Sequence, residues 1–118
     1  MGGPALRAET ADGTSYDDPS AALLRRLLGE LAPGNQFLVI DRLDAVNDEH
    51  YMQVYREGHG IYAVEYREGA ADHHFEAMAG DLHEVHDVLT GWAAGAPGWR
   101  EIFDWRPWPD RDAQGRRK

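Results

Sequence analysis

Two β-like runs joined by glycines constrain this chain more than anything else in it. Residues 50–56 and 61–67 are rich in Tyr, Val and Ile, and Glu57, Gly58, His59 and Gly60 stand between them. Runs of this kind, split by a short Gly-rich segment, form antiparallel hairpins. A two- or four-residue loop about Gly58 and His59 sets Tyr55 opposite Tyr62, Gln53 opposite Val64 and Tyr51 opposite Tyr66. Residues 72–77 follow Gly69 as a further run, and an even turn there puts His73 and Phe75 on the same face. The register predicts an aromatic face of Tyr51, Gln53, Tyr55, Tyr62, Val64, Tyr66, His73 and Phe75. The other face is mixed and carries Met52, Val54, Arg56, Glu65, Arg67, His74 and Glu76. A slip of one residue would turn one strand's side chains over.

The flanks supply two helices. Asp18 reads as an N-cap with Pro19 at the first helical position. Leu24, Leu27, Leu28 and Leu31 then recur at helical spacing, and Pro33-Gly34 stops the helix. Asp81 with Glu84 three residues on has the form of a capping box. Leu82, Val85, Leu89 and Trp92 make the second stripe, and Gly95 to Gly98 ends it. Residues 37–42 and 99–105 read as short strands. The expected class is α+β: a two-layer sandwich with an antiparallel meander of 4–5 strands and both helices on one face. Residues 1–16 read as a flexible arm, 17–109 as one domain and 110–118 as a disordered basic tail.

Charge narrows the partners. The chain has 118 residues, with 12 Lys+Arg against 21 Asp+Glu, for a formal charge of −9. Four of the bases lie in residues 111–118, so the body before them is more acidic than the total. Such a body repels phosphate backbones, which argues against nucleic acid and favours a basic protein partner. No apolar run approaches the roughly 20 residues that span a bilayer, so no membrane partner is expected. The N-terminus lacks a basic segment followed by an apolar one, and the chain has no cysteine. Both fit a cytoplasmic protein without disulfides.

Catalytic signals are sparse. His83 and His86 are three apart, not the four of the H-E-x-x-H zinc motif. His73 and His74 are adjacent in a presumed strand and so point to opposite faces. Glu65 and Glu76 on the mixed face have Arg56 and Arg67 as expected salt-bridge partners. No G-x-S-x-G elbow and no Gly-rich phosphate cradle occurs. The expectation is a non-enzymatic chain with no catalytic residues, no metal and no cofactor.

Aromatic residues are the unusual feature. Trp92, Trp99, Trp105 and Trp108 crowd into the last 27 residues, and the tyrosine ladder precedes them. Such side chains fill cores, anchor interfaces and line pockets. The interface or pocket candidates are Tyr51, Tyr55, Tyr62, Tyr66, His73, Trp92, Trp99 and Trp108.

The stretch from Val88 to Trp105 resembles the ending of small actinobacterial immunity proteins of polymorphic toxin systems. Gly95, Pro97 and Trp105 carry the likeness: a helix, a Gly-x-Pro turn and a last strand closing on Trp. The resemblance implies an acidic inhibitor that plugs a basic toxin's site. A small-molecule or enzymatic domain with an aromatic pocket between sheet and helix is the alternative. A homodimer through the leucine-rich first helix or the mixed sheet face is a third arrangement.

Overall fold

A computed structural model describes residues 3–58 and 60–107. Among them, seven strands form one antiparallel sheet: β1 (Leu6–Thr10), β2 (Ser15–Asp17), β3 (Phe37–Arg42), β4 (His50–Gly58), β5 (Ile61–Glu68), β6 (His74–Ala79) and β7 (Arg106–Pro107). Their order across the sheet is β2-β1-β3-β4-β5-β6-β7. Helix α1 (Ala21–Gly29) lies between β2 and β3, and α2 (Leu82–Ala94) follows β6. The class is α+β, with more strands than the expected 4–5.

Two of the extra strands come from the segment expected to be a loose arm. Leu6, Ala8 and Thr10 alternate inward, and Ala8 and Thr10 are buried beside β3. Small side chains at those positions hid the period of two. Asp18 closes this hairpin instead of capping α1. It adopts a positive φ of 45°, and its Oδ1 accepts from the Ala5 and Leu6 amides, both at 3.0 Å. The cap is Ser20, whose hydroxyl accepts from the Leu23 amide at 3.0 Å.

The β4–β5 register differs by one residue from expectation. An irregularity between Arg56 and Gly58 lets the strands pair as Tyr55 with Ala63, Gln53 with Glu65 and Tyr51 with Arg67. An unpaired extra residue of this kind shifts every later pair. The single aromatic face therefore does not form. Tyr62, Val64 and Tyr66 share a face with Met52 and Val54, while Tyr51, Gln53 and Tyr55 share the opposite one with Glu65, Arg67 and His74.

The first of those faces meets the helices. Ala8, Leu38, Ile40, Met52, Val54, Val64 and Tyr66 form one core with Leu24, Leu27, Leu28 and Leu31 and with Val85, Val88, Leu89 and Trp92. Each leucine or valine fully buried there contributes about 1.5–3 kcal/mol against solvent exposure. The α1 stripe is thus taken up by the chain's own core. Residues 99–105 make a 3₁₀ turn at Trp99–Glu101 and a loop, not the expected strand; the final strand is only Arg106–Pro107. Trp99 is turned back over α2 at Gly91, where an added Cβ would lie 3.0 Å from the Trp99 Cβ. Packing on the helix, not strand pairing, holds this segment.

Candidate functional site

The expected aromatic constellation is divided between two places. Tyr66 is core: its ring meets Trp99 at 4.9 Å and Trp105 at 4.8 Å, both edge-on, and Phe75 at 5.2 Å. Burial pushes its hydroxyl's pKa above the usual tyrosine value, with Arg100 acting in the opposite sense. Trp92 and Trp99 are buried in the same core, and Tyr62 packs against it. Tyr51 and Tyr55 lie on the opposite face. His73 is in the exposed 3₁₀ turn Ala71–His73, not in the sheet. Trp108 and residues 110–118 lie outside the described residues. His86 uses Nε2 to meet the Ala21 carbonyl at 2.9 Å, joining α2 to α1.

A buried polar row crosses the sheet on the face away from the helices. Gln53, Glu65, Arg67 and His74 are each at most 2% exposed. Glu65 Oε1 accepts from Gln53 Nε2 at 3.0 Å and meets His74 Nε2 at 2.9 Å. Arg67 Nε donates to His74 Nδ1 at 3.0 Å, and Arg67 Nη1 donates to Glu49 Oε1 at 2.6 Å. The Tyr51 ring stands edge-on to His74, and Arg67 lies over its face. A guanidinium can only donate, so His74 Nδ1 accepts and its proton is on Nε2. Both imidazole nitrogens are engaged within the protein, so the row is built to hold the sheet together. Arg67 also forms a salt bridge with Glu49. Arg56 lies on the helix face and donates to the Leu31 carbonyl at 2.9 Å. Register parity could have revealed the row once the extra residue at the hairpin was allowed for.

At one end of the sheet, the loop between β3 and β4 and the turn between β5 and β6 are tied together. Gly69 N donates to the Glu49 carbonyl at 2.8 Å, and Asn47 Oδ1 accepts from the Glu49 amide at 2.9 Å. Leu43 N anchors the loop's start on the Ala5 carbonyl at 2.7 Å. Asp44, Asp48 and Asp72 face solvent on these segments. Val46, between Asp44 and Asp48 along the chain, is 96% exposed, and Leu43 on the same loop is 41% exposed. Among the described residues, no Arg or Lys pairs with any of the three aspartates.

The same end opens a cavity of about 300 Å³ where the sheet meets the C-terminus of α2. Its walls include Arg42, His50, Glu68, Trp92, Trp99 and Arg100. Gly95 ends α2 at φ 69°, with the Ala96 amide on the Gly91 carbonyl and the Gly95 amide on that of Trp92. Arg42 Nη2 donates to the same Trp92 carbonyl at 2.7 Å, and its guanidinium lies 4.4 Å over the Trp92 ring. Arg100 pairs with Glu68 and lies 4.6 Å over Trp99. Trp92 and Trp99 were visible in the sequence as pocket candidates; Arg42, His50, Glu68 and Arg100 were not. The signal for Arg42 was its parity with Leu38 and Ile40, which sets it on the core face.

No protein-family model, no curated protein and no solved structure matches this chain. The fold and these sites therefore stand on their own geometry.

Proposed function

We propose that this chain is a non-enzymatic protein-binding domain that grips a basic partner with the loop end of its sheet. The observation that carries this reading is the exposed set Asp44, Val46 and Asp48 on the β3–β4 loop and Asp72 on the β5–β6 turn, two segments held together by hydrogen bonds. Exposed carboxylates that no arginine or lysine neutralises among the described residues steer a cationic partner and select against acidic ones. The exposed Val46 on the same loop supplies an apolar contact that excludes water. The likeness of residues 88–105 to immunity proteins makes a basic toxin the concrete form of that partner. The test is affinity capture from the host's lysate against an unrelated control protein of equal charge and size. Selective recovery of a basic protein, weakened by added salt, supports the reading; equal recovery on the control refutes it.

A second reading rests on a different observation. The cavity walled by Trp92 and Trp99 is at the lower end of the size range of small-molecule sites, about 300–1,000 Å³. It supports a ligand-binding role that a protein partner does not require.

A further inference from the structure

We propose that the cavity at the C-terminal end of α2 is a carboxylate-binding site, with Arg42 as its anion-binding group and Trp92 and Trp99 as its aromatic walls. This assigns the ligand class within the second reading above, and it does not depend on the protein-partner reading.

The charge on the cavity wall runs against the charge of the chain. Three guanidiniums and an imidazole, from Arg42, Arg67, Arg100 and His50, border it against the single carboxylate of Glu68. Arg100 is already paired with that carboxylate. Among the described residues, Arg42 has no carboxylate within ion-pair distance. It spends one N–H on the Trp92 carbonyl, and a guanidinium has five. Its plane is fixed by that bond and by the Trp92 ring beneath it, so the remaining donors are held in place before a ligand arrives. A planar fork of N–H groups matches a carboxylate with two parallel hydrogen bonds. Trp92 and Trp99 add apolar surface to the same wall, which suits an apolar body attached to that carboxylate. An aromatic carboxylic acid has this shape, whether free or at the C-terminus of a peptide ending in an aromatic residue.

The test is a ¹H–¹⁵N NMR titration of the full chain, following the indole N–H signals of Trp92 and Trp99 and the Arg42 Nε–H. The probes are benzoate, its uncharged isostere benzamide, and Gly-Gly-Phe with a free or an amidated C-terminus. Saturable shifts at these signals with benzoate, the free-acid peptide or both are expected, with each neutral form weaker by about tenfold or more. Benzoate alone marks a free acid as the ligand; the free-acid peptide alone marks a chain terminus. Arg42→Gln is expected to abolish the shifts. Arg42→Lys, which keeps the charge and loses the fork, is expected to weaken them, and covers the case in which the glutamine variant does not fold. Glu68→Gln is expected to tighten binding by removing the one negative charge on the wall. Equal binding of charged and neutral forms would leave a pocket but overturn its assignment to carboxylates. No saturable shift from any probe would overturn both the assignment and the pocket reading.

Discussion

Arg67 Nε points at Nδ1 of His74 across 3.0 Å, and this contact sets the protonation pattern of a buried row in the sheet. The imidazole must carry its proton on Nε2, which faces Glu65 Oε1 at 2.9 Å. Long-range ¹H–¹⁵N spectra of the folded chain should therefore show one protonated nitrogen on His74, the Nε2. A proton on Nδ1 would contradict the network.

The same row predicts a large stability effect. Glu65→Ala removes the acceptor shared by Gln53 and His74 inside the protein. Losing one partner of a buried charged network costs about 3–5 kcal/mol, because the remaining polar groups stay desolvated. Urea unfolding should show this loss. Glu65→Leu combined with His74→Leu should cost less than the sum of the single changes, since the pair is then removed together.

Two glycine-to-alanine changes should have opposite signs. Gly29 is the last residue of α1, is exposed, and would place a new Cβ in open space. Gly29→Ala should stabilise by up to about 1 kcal/mol through helix propensity. Gly91 has the same propensity to gain, but its Cβ would lie 3.0 Å from the Trp99 Cβ, which is anchored to the backbone and cannot swing away. Overpacking of about 1–3 kcal/mol should outweigh the gain, so Gly91→Ala should lower the melting temperature.

Much of this fold was readable in the sequence, and the misses have local causes. The leucine spacing in α1, the Asp81 cap and the Gly95 stop placed both helices. The β4–β5 hairpin was placed as well, but its register depended on one extra residue near Glu57, which no hydrophobic pattern encodes. That single residue exchanged the faces of Tyr51 and Tyr55 relative to Tyr62 and Tyr66, and it hid the row of Gln53, Glu65, Arg67 and His74. Trp99 looked like strand because aromatics favour strands. Its burial against Gly91 is a tertiary contact that no local pattern announces. The cavity is assembled from the ends of β3, β4, β5 and α2 and from the Trp99 turn, so no contiguous motif could show it.

Tyr66 should make the protein sensitive to alkali. Its hydroxyl's pKa is raised in the folded state, mainly by burial, so the folded chain keeps that proton at pH values where the unfolded chain has lost it. Stability from this group is whole below about pH 10 and is lost as pH rises through the higher folded value. Tyr66→Phe should flatten that part of the stability curve. An unchanged alkaline slope would place the cause elsewhere.

Asp12 makes the corresponding acid-side statement. Its carboxylate accepts from the Thr10 hydroxyl and the Thr14 amide, and the Thr10 bond is the main cause that holds its pKa below the ordinary value. Its contribution is present above about pH 4 and is lost as pH falls through the lower folded value. Thr10→Val should move the Asp12 carboxylate titration, followed by NMR, back toward that of a free aspartate.

The most direct test of the proposed role changes only the loop end. The triple variant Asp44→Lys, Asp48→Lys, Asp72→Lys alters three exposed side chains outside the core, so its unfolding should match that of the parent. Parallel affinity capture from host lysate by parent and variant then decides the matter. The account predicts that a basic protein held by the parent is absent from the variant's capture. Recovery of the same protein by both, or by neither, would contradict it.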